Sequence, residues 1–208
     1  MKKKLTLLLS LLALAAVGNA QKYVGGDISL LPSYEEHGVK YLGRGGNNNQ
    51  VKPLDYFADS AHWNAMRVRL FVDPSKADDE DKNEGVRQDL DYVTKLAKRI
   101  TNKGYSLMLD FHYSDTWTDP SQHSTPSAWN SSDPAVLADN VYAYTKKSLQ
   151  HLKDNGVKID FIQPGNEVTY GMMWPTGRCY PKGTNYGTGT VANFVKYLNA
   201  GIKACKEI

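Results

Sequence analysis

Apolar and polar positions along the chain follow two periods, one typical of strands and one typical of helices. Short stretches rich in β-branched and aromatic residues predict strands at 23–30, 65–72, 105–113 and 158–166. Stretches with apolar residues three and four positions apart predict helices at 51–63, 84–103, 134–155 and 190–208. Strands and helices that follow each other in this order predict four βα units built on a parallel sheet.

Polar and aromatic side chains gather where each predicted strand ends and the loop to the next helix begins. They are Asp27 and Ser29 at the end of the first strand, Asp73 at the second, His112, Asp115 and Trp117 at the third, and Asn166 and Glu167 at the fourth. In a (β/α) barrel the carboxyl ends of the strands carry the chemistry, whereas the opposite end contributes stability. Four polar strand ends in series therefore favour a functional site at this rim.

The first strand distinguishes a barrel from an open, doubly wound sheet. The stretch "VGGDISLLPS" ends in Leu-Pro-Ser and is not expected to open a helix, and the glycines of "GRGGNNNQ" follow in a separate loop. A dinucleotide-binding fold needs GxGxxG between its first strand and first helix, and that motif is missing from this position. The sequence therefore predicts the barrel.

The stretch "FIQPGNEVTYGMMWPTG" contains a carboxylate in an unusual setting. The fourth strand turns at Gly165, presents Asn166 and Glu167 side by side, and continues into Met172 and Trp174. A carboxylate among apolar groups is either paired or has a raised pKa, and a raised pKa suits a general acid. The alternative is a glutamate that merely caps the loop.

The first 20 residues have the pattern of a secretory signal peptide. Lys2, Lys3 and Lys4 precede an apolar stretch at 5–17, and small residues at 18–20 predict cleavage after Ala20 and export of residues 21–208. The apolar stretch is too short for a spanning helix, so no membrane contact is expected after cleavage. Without the three lysines the formal charge of +3 falls near zero, which argues against nucleic acid and favours a neutral or polar substrate.

The chain has two cysteines, Cys179 and Cys205. In an exported protein they are compatible either with a disulfide or with two separate thiols, and the sequence leaves both open. Motifs with metal-ligand spacing, such as CxxC or HExxH, are missing from the sequence. We therefore expect neither a metal site nor a cofactor in this part of the chain.

Four stretches resemble one family when they are taken together and in order: "GGDISLL", "MRVRLFVDP", "LDFHYSDTWTDPSQHSTPSAW" and "IQPGNEVTYGMMWPTG". They are similar to the endo-β-1,4-galactanases of glycoside hydrolase family 53, which belong to a clan of retaining glycosidases. The GNE triplet is common, but its combination with HYSDTWxDP before it and Trp-Pro-x-Gly after it is specific. The resemblance implies a (β/α)8 TIM barrel, of which about four βα units are present, and β-1,4-galactan as a polysaccharide substrate.

The resemblance also implies roles for matching residues. Glu167 would be the general acid/base, Asn166 would bind the sugar 2-hydroxyl, and Arg67 would approach the nucleophile. Substrate would be bound by His112, Asp115, Trp117 and Trp174. For His112 and Trp117 the alternative is packing in the core, and for Arg69 it is a buried ion pair.

Retaining hydrolysis needs a second carboxylate about 5 Å from the first, and the resemblance places that nucleophile on a seventh strand. A complete barrel takes about 250 residues, so we expect residues 21–208 to be the N-terminal part of a longer catalytic domain. Glu35, Glu36 and Asp27 lie on the first unit but do not match the nucleophile's motif. We therefore expect these residues alone to be inactive, and any metal site in the missing half is invisible.

The leading functional prediction is an exported endo-galactanase that cleaves with retention. One alternative is another retaining endo-glycosidase of the same clan that acts on a different glycan. The other alternative is a noncatalytic galactan-binding protein in which Trp117 and Trp174 stack on sugar rings. A seventh-strand glutamate downstream in the reading frame would separate an enzyme from a binding protein.

Overall fold

The computed structural model describes residues 22–45, 49–180 and 184–208. The predicted signal peptide lies outside the described residues. The strands are β1 Gly25–Asp27, β2 Tyr41–Leu42, β3 Gln50–Val51, β4 Ala65–Leu70, β5 Ser106–Phe111, β6 Phe161–Pro164, β7 Cys179–Tyr180 and β8 Thr184–Asn185. The α-helices are α1 Leu31–Glu36, α2 Pro53–Asp59, α3 Asp79–Asn83, α4 Leu90–Asn102, α5 Pro134–Asp154 and α6 Val191–Lys206. Short 3₁₀ turns lie at Pro74–Lys76, Ser127–Trp129 and Val168–Tyr170.

A parallel sheet of four strands, in the order β1-β4-β5-β6, organises the molecule. All three of its strand pairs are parallel. The chain leaves each of the first three strands through helical segments before it enters the next, and α6 follows β6. This is the predicted series of four βα units. None of the helices in the described ranges is long and apolar enough to cross a membrane.

The hydrophobic core lies between the sheet and the helices. Alternate residues of β4 and β5, namely Val68, Leu70, Leu107 and Leu109, are completely buried. They belong to one cluster with apolar residues of α4 and α5, including Val93, Leu96, Ala97 and Ile100 of α4. Each such side chain contributes about 1.5 to 3 kcal/mol through burial, so this layer fixes the positions of the strand ends.

The helix predicted at 84–103 begins later than expected, at Leu90. Asp89 caps it, because its Oδ1 accepts a hydrogen bond of 2.8 Å from the backbone N–H of Tyr92. Gly85, at φ +108°, ends the separate short helix α3 and interrupts the apolar pattern. The helix predicted at 51–63 is likewise shorter, because Pro53 fixes its first turn.

The expectation that Leu-Pro-Ser opens no helix is wrong. Helix α1 begins at Leu31 with Pro32 in its first turn, where the missing N–H of proline costs no helical hydrogen bond. Two antiparallel hairpins, β2–β3 and β7–β8, were also not predicted. Each of their strands has only two residues, which is too short for an alternating pattern.

Candidate active site

The inner side of the sheet carries a charged cluster centred on Arg67 of β4. Its Nη1 donates to Asp27 Oδ2 at 2.5 Å, and its Nη2 donates to Asn166 Oδ1 at 2.8 Å. Nη2 also forms an ion pair with Asp110 of β5. One guanidinium group thus joins side chains from or just beyond β1, β5 and β6. Two of the predicted site residues, Arg67 and Asn166, are in direct contact.

Asp110 was not predicted as a site residue, although it is completely buried. Its Oδ2 faces both Arg67 and the Nε2 of His112, the latter at 3.3 Å, and its Oδ1 has no hydrogen-bond partner among the described residues. The available signal is a lone aspartate in the apolar stretch "SLMLDF". A buried carboxylate needs a cation nearby. Arg67 supplies it from the neighbouring strand β4, two positions before Arg69, the residue that pairs with Asp110 in the sheet.

His112 lies beside Asp110 and is 2% exposed. Its Nδ1 accepts hydrogen bonds from the Thr118 backbone N–H at 3.1 Å and lies 2.9 Å from the Thr118 hydroxyl. Since a backbone N–H only donates, the ring hydrogen lies on Nε2, which is 3.3 Å from Asp110 Oδ2 but forms no hydrogen bond within the described residues. The ring also packs on Phe71 at 4.6 Å between centroids. The structure thus gives His112 the contacts of a core histidine, and its predicted role toward substrate stays a prediction.

Asn166 is buried and its amide is fixed at both ends. Its Nδ2 donates to the carbonyl of Thr118 at 2.6 Å, while its Oδ1 accepts from Arg67. Gly165, at φ +105°, allows the chain to turn sharply between β6 and this residue. The turn, the amide contacts and the core beneath β6 together set where the next residue, Glu167, stands.

Glu167 is exposed, so the expectation that Met172 and Trp174 would bury it is wrong. Met172 and Met173 are each 1% exposed and belong to the hydrophobic core, and the turn Val168–Tyr170 separates them from Glu167. The backbone of Glu167 is left-handed, at φ +46° and ψ +44°. Its carbonyl accepts from the Thr169 N–H at 2.8 Å and from His123 Nε2 at 3.3 Å.

Asp115 connects the loops that follow β4 and β5. Its Oδ1 accepts from the backbone N–H of Asp73 at 3.1 Å, and its Oδ2 accepts from the backbone N–H and hydroxyl of Ser127 at 2.8 and 2.7 Å. The carboxylate is only 8% exposed. The structure therefore gives Asp115 a role in holding the loops, and contact with substrate stays a prediction.

The two predicted sugar-binding tryptophans are both partly exposed, and each has an arginine over its ring. The guanidinium of Arg69 lies 4.6 Å from the ring centre of Trp117, and that of Arg178 lies 4.0 Å from Trp174. Trp174 is also fixed by its Nε1, which donates to the carbonyl of Tyr170 at 3.1 Å. Arg69 forms the ion pair considered for it, with Nη2 3.1 Å from Asp27 Oδ1.

Other acidic and thiol groups lie in structural settings. Glu35 pairs with Arg99, with 2.7 Å between its Oε2 and the arginine Nη1. Cys179 and Cys205 are free thiols, and burial raises the pKa of each. In the described ranges there is no group of three or more His, Cys, Asp or Glu side chains that could hold a metal ion.

Of two cavities in the described part of the molecule, one is lined by residues of the Arg67 cluster and the other is not. One, of about 390 Å³, lies on the inner side of the sheet and is lined by Asp27, Arg67, Met108 and Phe161. A larger one, of about 560 Å³, lies against the hairpin β2–β3 and the end of α4, and none of the predicted site residues lines it. The charged residues therefore place the candidate site at the cavity on the inner side of the sheet, although the cavity beside the hairpin β2–β3 is larger.

Comparisons with known proteins agree with the resemblance. The family model "Glycosyl hydrolase family 53" matches residues 23–208. A probable arabinogalactan endo-beta-1,4-galactanase A of Neosartorya fischeri is 36% identical over 181 residues, which are 87% of this chain and 46% of that protein. The arabinogalactan endo-beta-1,4-galactanase of Humicola insolens is 37% identical over 159 residues, 76% of this chain and 44% of that protein. The chain spans about half the length of the curated relatives that it matches.

Solved structures give the same result for the fold. A structure from a study of two fungal beta-1,4-galactanases superimposes with a TM-score of 0.74 and 31% identity, over 90% of this chain and 50% of the other. The GH53 catalytic domain of Ignisphaera aggregans superimposes with a TM-score of 0.72 and 31% identity, over 88% and 47%. The predicted fold, four βα units of a (β/α)8 barrel, is confirmed.

Proposed function

Because the chain belongs to glycosyl hydrolase family 53 over residues 23–208, we propose that the intact protein is an endo-β-1,4-galactanase. It cleaves galactan or type I arabinogalactan and retains the anomeric configuration. The observation that carries this proposal is the cluster in which Arg67 bridges Asp27, Asp110 and Asn166, with Glu167 next in the chain. The names of the fungal relatives, which are arabinogalactan endo-beta-1,4-galactanases, support the substrate class.

In this proposal Glu167 is the general acid/base. It gives its proton to the glycosidic oxygen when the nucleophile attacks the anomeric carbon, and it then takes a proton from the water that releases the product. The exposure of Glu167 supports this role, since a polysaccharide can approach an exposed carboxyl group at the rim. The fixed amide of Asn166 supports the role of this residue as a contact for the sugar 2-hydroxyl.

The nucleophile of the proposed reaction is a glutamate on a seventh strand. Both Asp27 and Asp110 are occupied by Arg67, which makes them poor candidates for attack on a sugar. Arg67 is partly exposed and keeps a positive charge in the cluster, which suits a residue that stabilises a neighbouring carboxylate nucleophile. His112, Asp115, Trp117 and Trp174 form the proposed walls of the substrate cleft, and the proposed location of the protein is outside the cytoplasm.

The test is Glu167→Gln in the intact protein. We expect the turnover of galactan to fall at least 100-fold, because the leaving sugar then departs without a proton. The first step on an aryl β-galactoside with a good leaving group should stay near the parent rate, because that group needs little protonation. The exposed residue Glu36 offers a matched control, Glu36→Gln, which should leave both rates unchanged.

An equal loss on the two substrates would contradict the role of Glu167 as an acid. Galactan binding without turnover in the unmodified intact protein would favour the noncatalytic alternative, and turnover of a different β-glycan would favour the other glycosidase. Proton NMR of the first product released from galactan checks retention, since the β-anomer must appear before mutarotation.

A further inference from the structure

His123 has no part in the mechanism above, yet it contacts the backbone of the proposed acid. It lies in the loop between β5 and the turn Ser127–Trp129, and it is 2% exposed. Its Nε2 lies 3.3 Å from the carbonyl oxygen of Glu167. A carbonyl oxygen only accepts, so the ring hydrogen lies on Nε2 and His123 is the donor.

The Glu167 backbone needs support of this kind. A residue with a Cβ rarely adopts a left-handed conformation, and it does so only where neighbouring groups hold it. Two donors meet the Glu167 carbonyl. The Thr169 N–H is two residues away and belongs to the same turn, whereas His123 comes from a different loop, 44 residues earlier. His123 is therefore the donor that fixes the turn relative to the rest of the site.

The loop that carries His123 is itself attached to the far end of the same segment. The carbonyl of His123 accepts from the Trp174 N–H at 2.8 Å, and the hydroxyl of Thr125 donates to the Trp174 carbonyl at 3.0 Å. Residues 123–125 thus form hydrogen bonds with both ends of the segment from Glu167 to Trp174. A side chain mounted in this way has little freedom to move away from the carbonyl that it binds.

The electrostatic setting keeps the imidazole uncharged. Burial is the main cause that lowers the pKa of His123 to about 4, and the nearby His112 lowers it further. Asp119 and the carbonyls of Glu167 and Asn166 act in the opposite direction and do not prevail. A neutral ring with its hydrogen on Nε2 is a fixed single donor, which is what a rigid support requires.

We propose that His123 is a positioning residue, which acts through the Glu167 carbonyl to aim the Glu167 carboxyl group at the glycosidic oxygen. This inference rests on the proposed role of Glu167 as the acid/base. His123 does not touch substrate or transfer a proton. It determines the direction in which an exposed side chain on a left-handed residue points.

The experiment compares His123→Leu with His123→Gln in the intact protein. Leucine fills part of the space without a donor, whereas the amide of glutamine places an N–H near the position of Nε2. We expect His123→Leu to lower kcat on galactan by about 10- to 100-fold with KM within about threefold, because a displaced catalytic group slows the reaction more than it weakens binding. The first step on the activated aryl β-galactoside should stay near the parent rate. His123→Gln should recover most of the loss on galactan.

A second measurement does not depend on activity. Backbone NMR shifts of Glu167 should report a left-handed residue in the parent and in His123→Gln, and a changed conformation in His123→Leu. If Glu167→Gln does not spare the activated substrate, the proposed role of Glu167 as the acid fails, while these shifts still decide whether His123 controls the turn. If His123→Leu does not fold, His123→Asn replaces it, since its amide is too short to reach the carbonyl.

Three results would overturn the inference. The first is a His123→Leu variant whose kcat on galactan equals that of the parent. The second is an equal fall in rate on galactan and on the aryl β-galactoside that His123→Gln does not restore. The third is a His123→Leu variant in which the NMR shifts of Glu167 are unchanged. The double variant His123→Leu/Glu167→Gln provides the last check. It should be no slower on galactan than Glu167→Gln alone, because both changes act through the same carboxyl group.

Discussion

A single buried residue, Asp110, fixes the position of the charged cluster through its ion pair with Arg67. It is completely buried, and its Oδ2 lies against both the Arg67 guanidinium and the His112 ring. A carboxylate is tolerated at such a position only because a cation is adjacent. The ion pair holds the Arg67 guanidinium where its Nη2 also donates a hydrogen bond to Asn166 Oδ1. Asp110 therefore connects core stability to the geometry of the site.

Removal of this charge should destabilise the protein strongly. We expect Asp110→Asn to lower the free energy of unfolding by about 3 kcal/mol, since loss of one partner of a buried ion pair leaves the other uncompensated. Urea denaturation measures the change. Asp139→Asn on the exposed side of α5 makes the same chemical change and should stay within about 0.5 kcal/mol of the parent. Equal effects of the two substitutions would show that Asp110 contributes no ion-pair energy.

Residue-level predictability depends on whether a contact is local in sequence. The adjacency of Asn166 and Glu167 is visible in the sequence, and so is the polar end of β5. The support that His123 gives to Glu167 is not, because it spans 44 residues and involves a backbone carbonyl, which leaves no side-chain pattern. The exposure of Glu167 was missed for a related reason. Neighbouring Met172 and Met173 turn into the core, and proximity in sequence does not reveal that direction.

At the scale of elements, the turn after β6 is the connection on which the site depends most. Gly165 has φ +105°, and a Cβ at this position would lie 2.8 Å from Val168 Cγ1. Gly156, which follows α5, also has a positive φ of +77°, but an added Cβ would meet nothing within 4 Å. The two glycines thus share a backbone requirement and differ in the surrounding space.

This difference predicts unequal effects of alanine at the two glycines. Gly156→Ala should cost about 1 kcal/mol of unfolding free energy, the usual penalty for a left-handed residue with a Cβ. Gly165→Ala should cost about 1 kcal/mol more, because of the added clash with Val168, and should reduce galactan turnover by displacing Asn166 and Glu167. Thermal melts and galactan assays of both variants in the intact protein check this. A harmless Gly165→Ala would mean that the turn adapts.

The apolar periodicity predicts that the long helices and strands exist, but it does not predict the residues at which they begin and end. Apolar spacing in α4 matches the buried face that the structure shows. Its start depends on one hydrogen bond that the Asp89 carboxylate accepts from the Tyr92 N–H and on the backbone of Gly85, which periodicity does not report. The strands of the unpredicted hairpins β2–β3 and β7–β8 have only two residues each, which is too short for an alternating pattern to appear in the sequence.

At the scale of the whole molecule, the inner side of the sheet is the surface with the greatest consequence. Its cavity of about 390 Å³ is lined by apolar residues that include Ala65, Met108 and Phe161, and Phe161 is 40% exposed. In the described part of the chain, β1 and β6 each pair with one neighbour only. Apolar surface beside unpaired strand edges favours association with other chains.

We therefore expect a polypeptide of residues 21–208, expressed alone, to associate or aggregate and to be inactive on galactan. Glu167 would be present, but the near carboxylates Asp27 and Asp110 are both paired with Arg67. Size-exclusion chromatography and an assay for reducing ends measure the two properties. Rapid turnover by a monomer would contradict the prediction and would show that a carboxylate within these residues attacks the sugar.

The order of the sheet, which repeats the order of the chain, has a consequence for how the molecule is made. The pairs Gly25 with Ala65, Ala65 with Ser106, and Met108 with Phe161 show that each strand of the four-stranded sheet joins the strand of that sheet that precedes it in the chain. Each new strand can add at the open edge as it is synthesised, and no earlier pair has to separate to admit it. Moderate loop lengths keep the entropic cost of each addition similar. Assembly can thus advance from the first unit to the fourth in the direction of translation, and the loop that carries His123 is synthesised before the segment from Glu167 to Trp174 that it contacts.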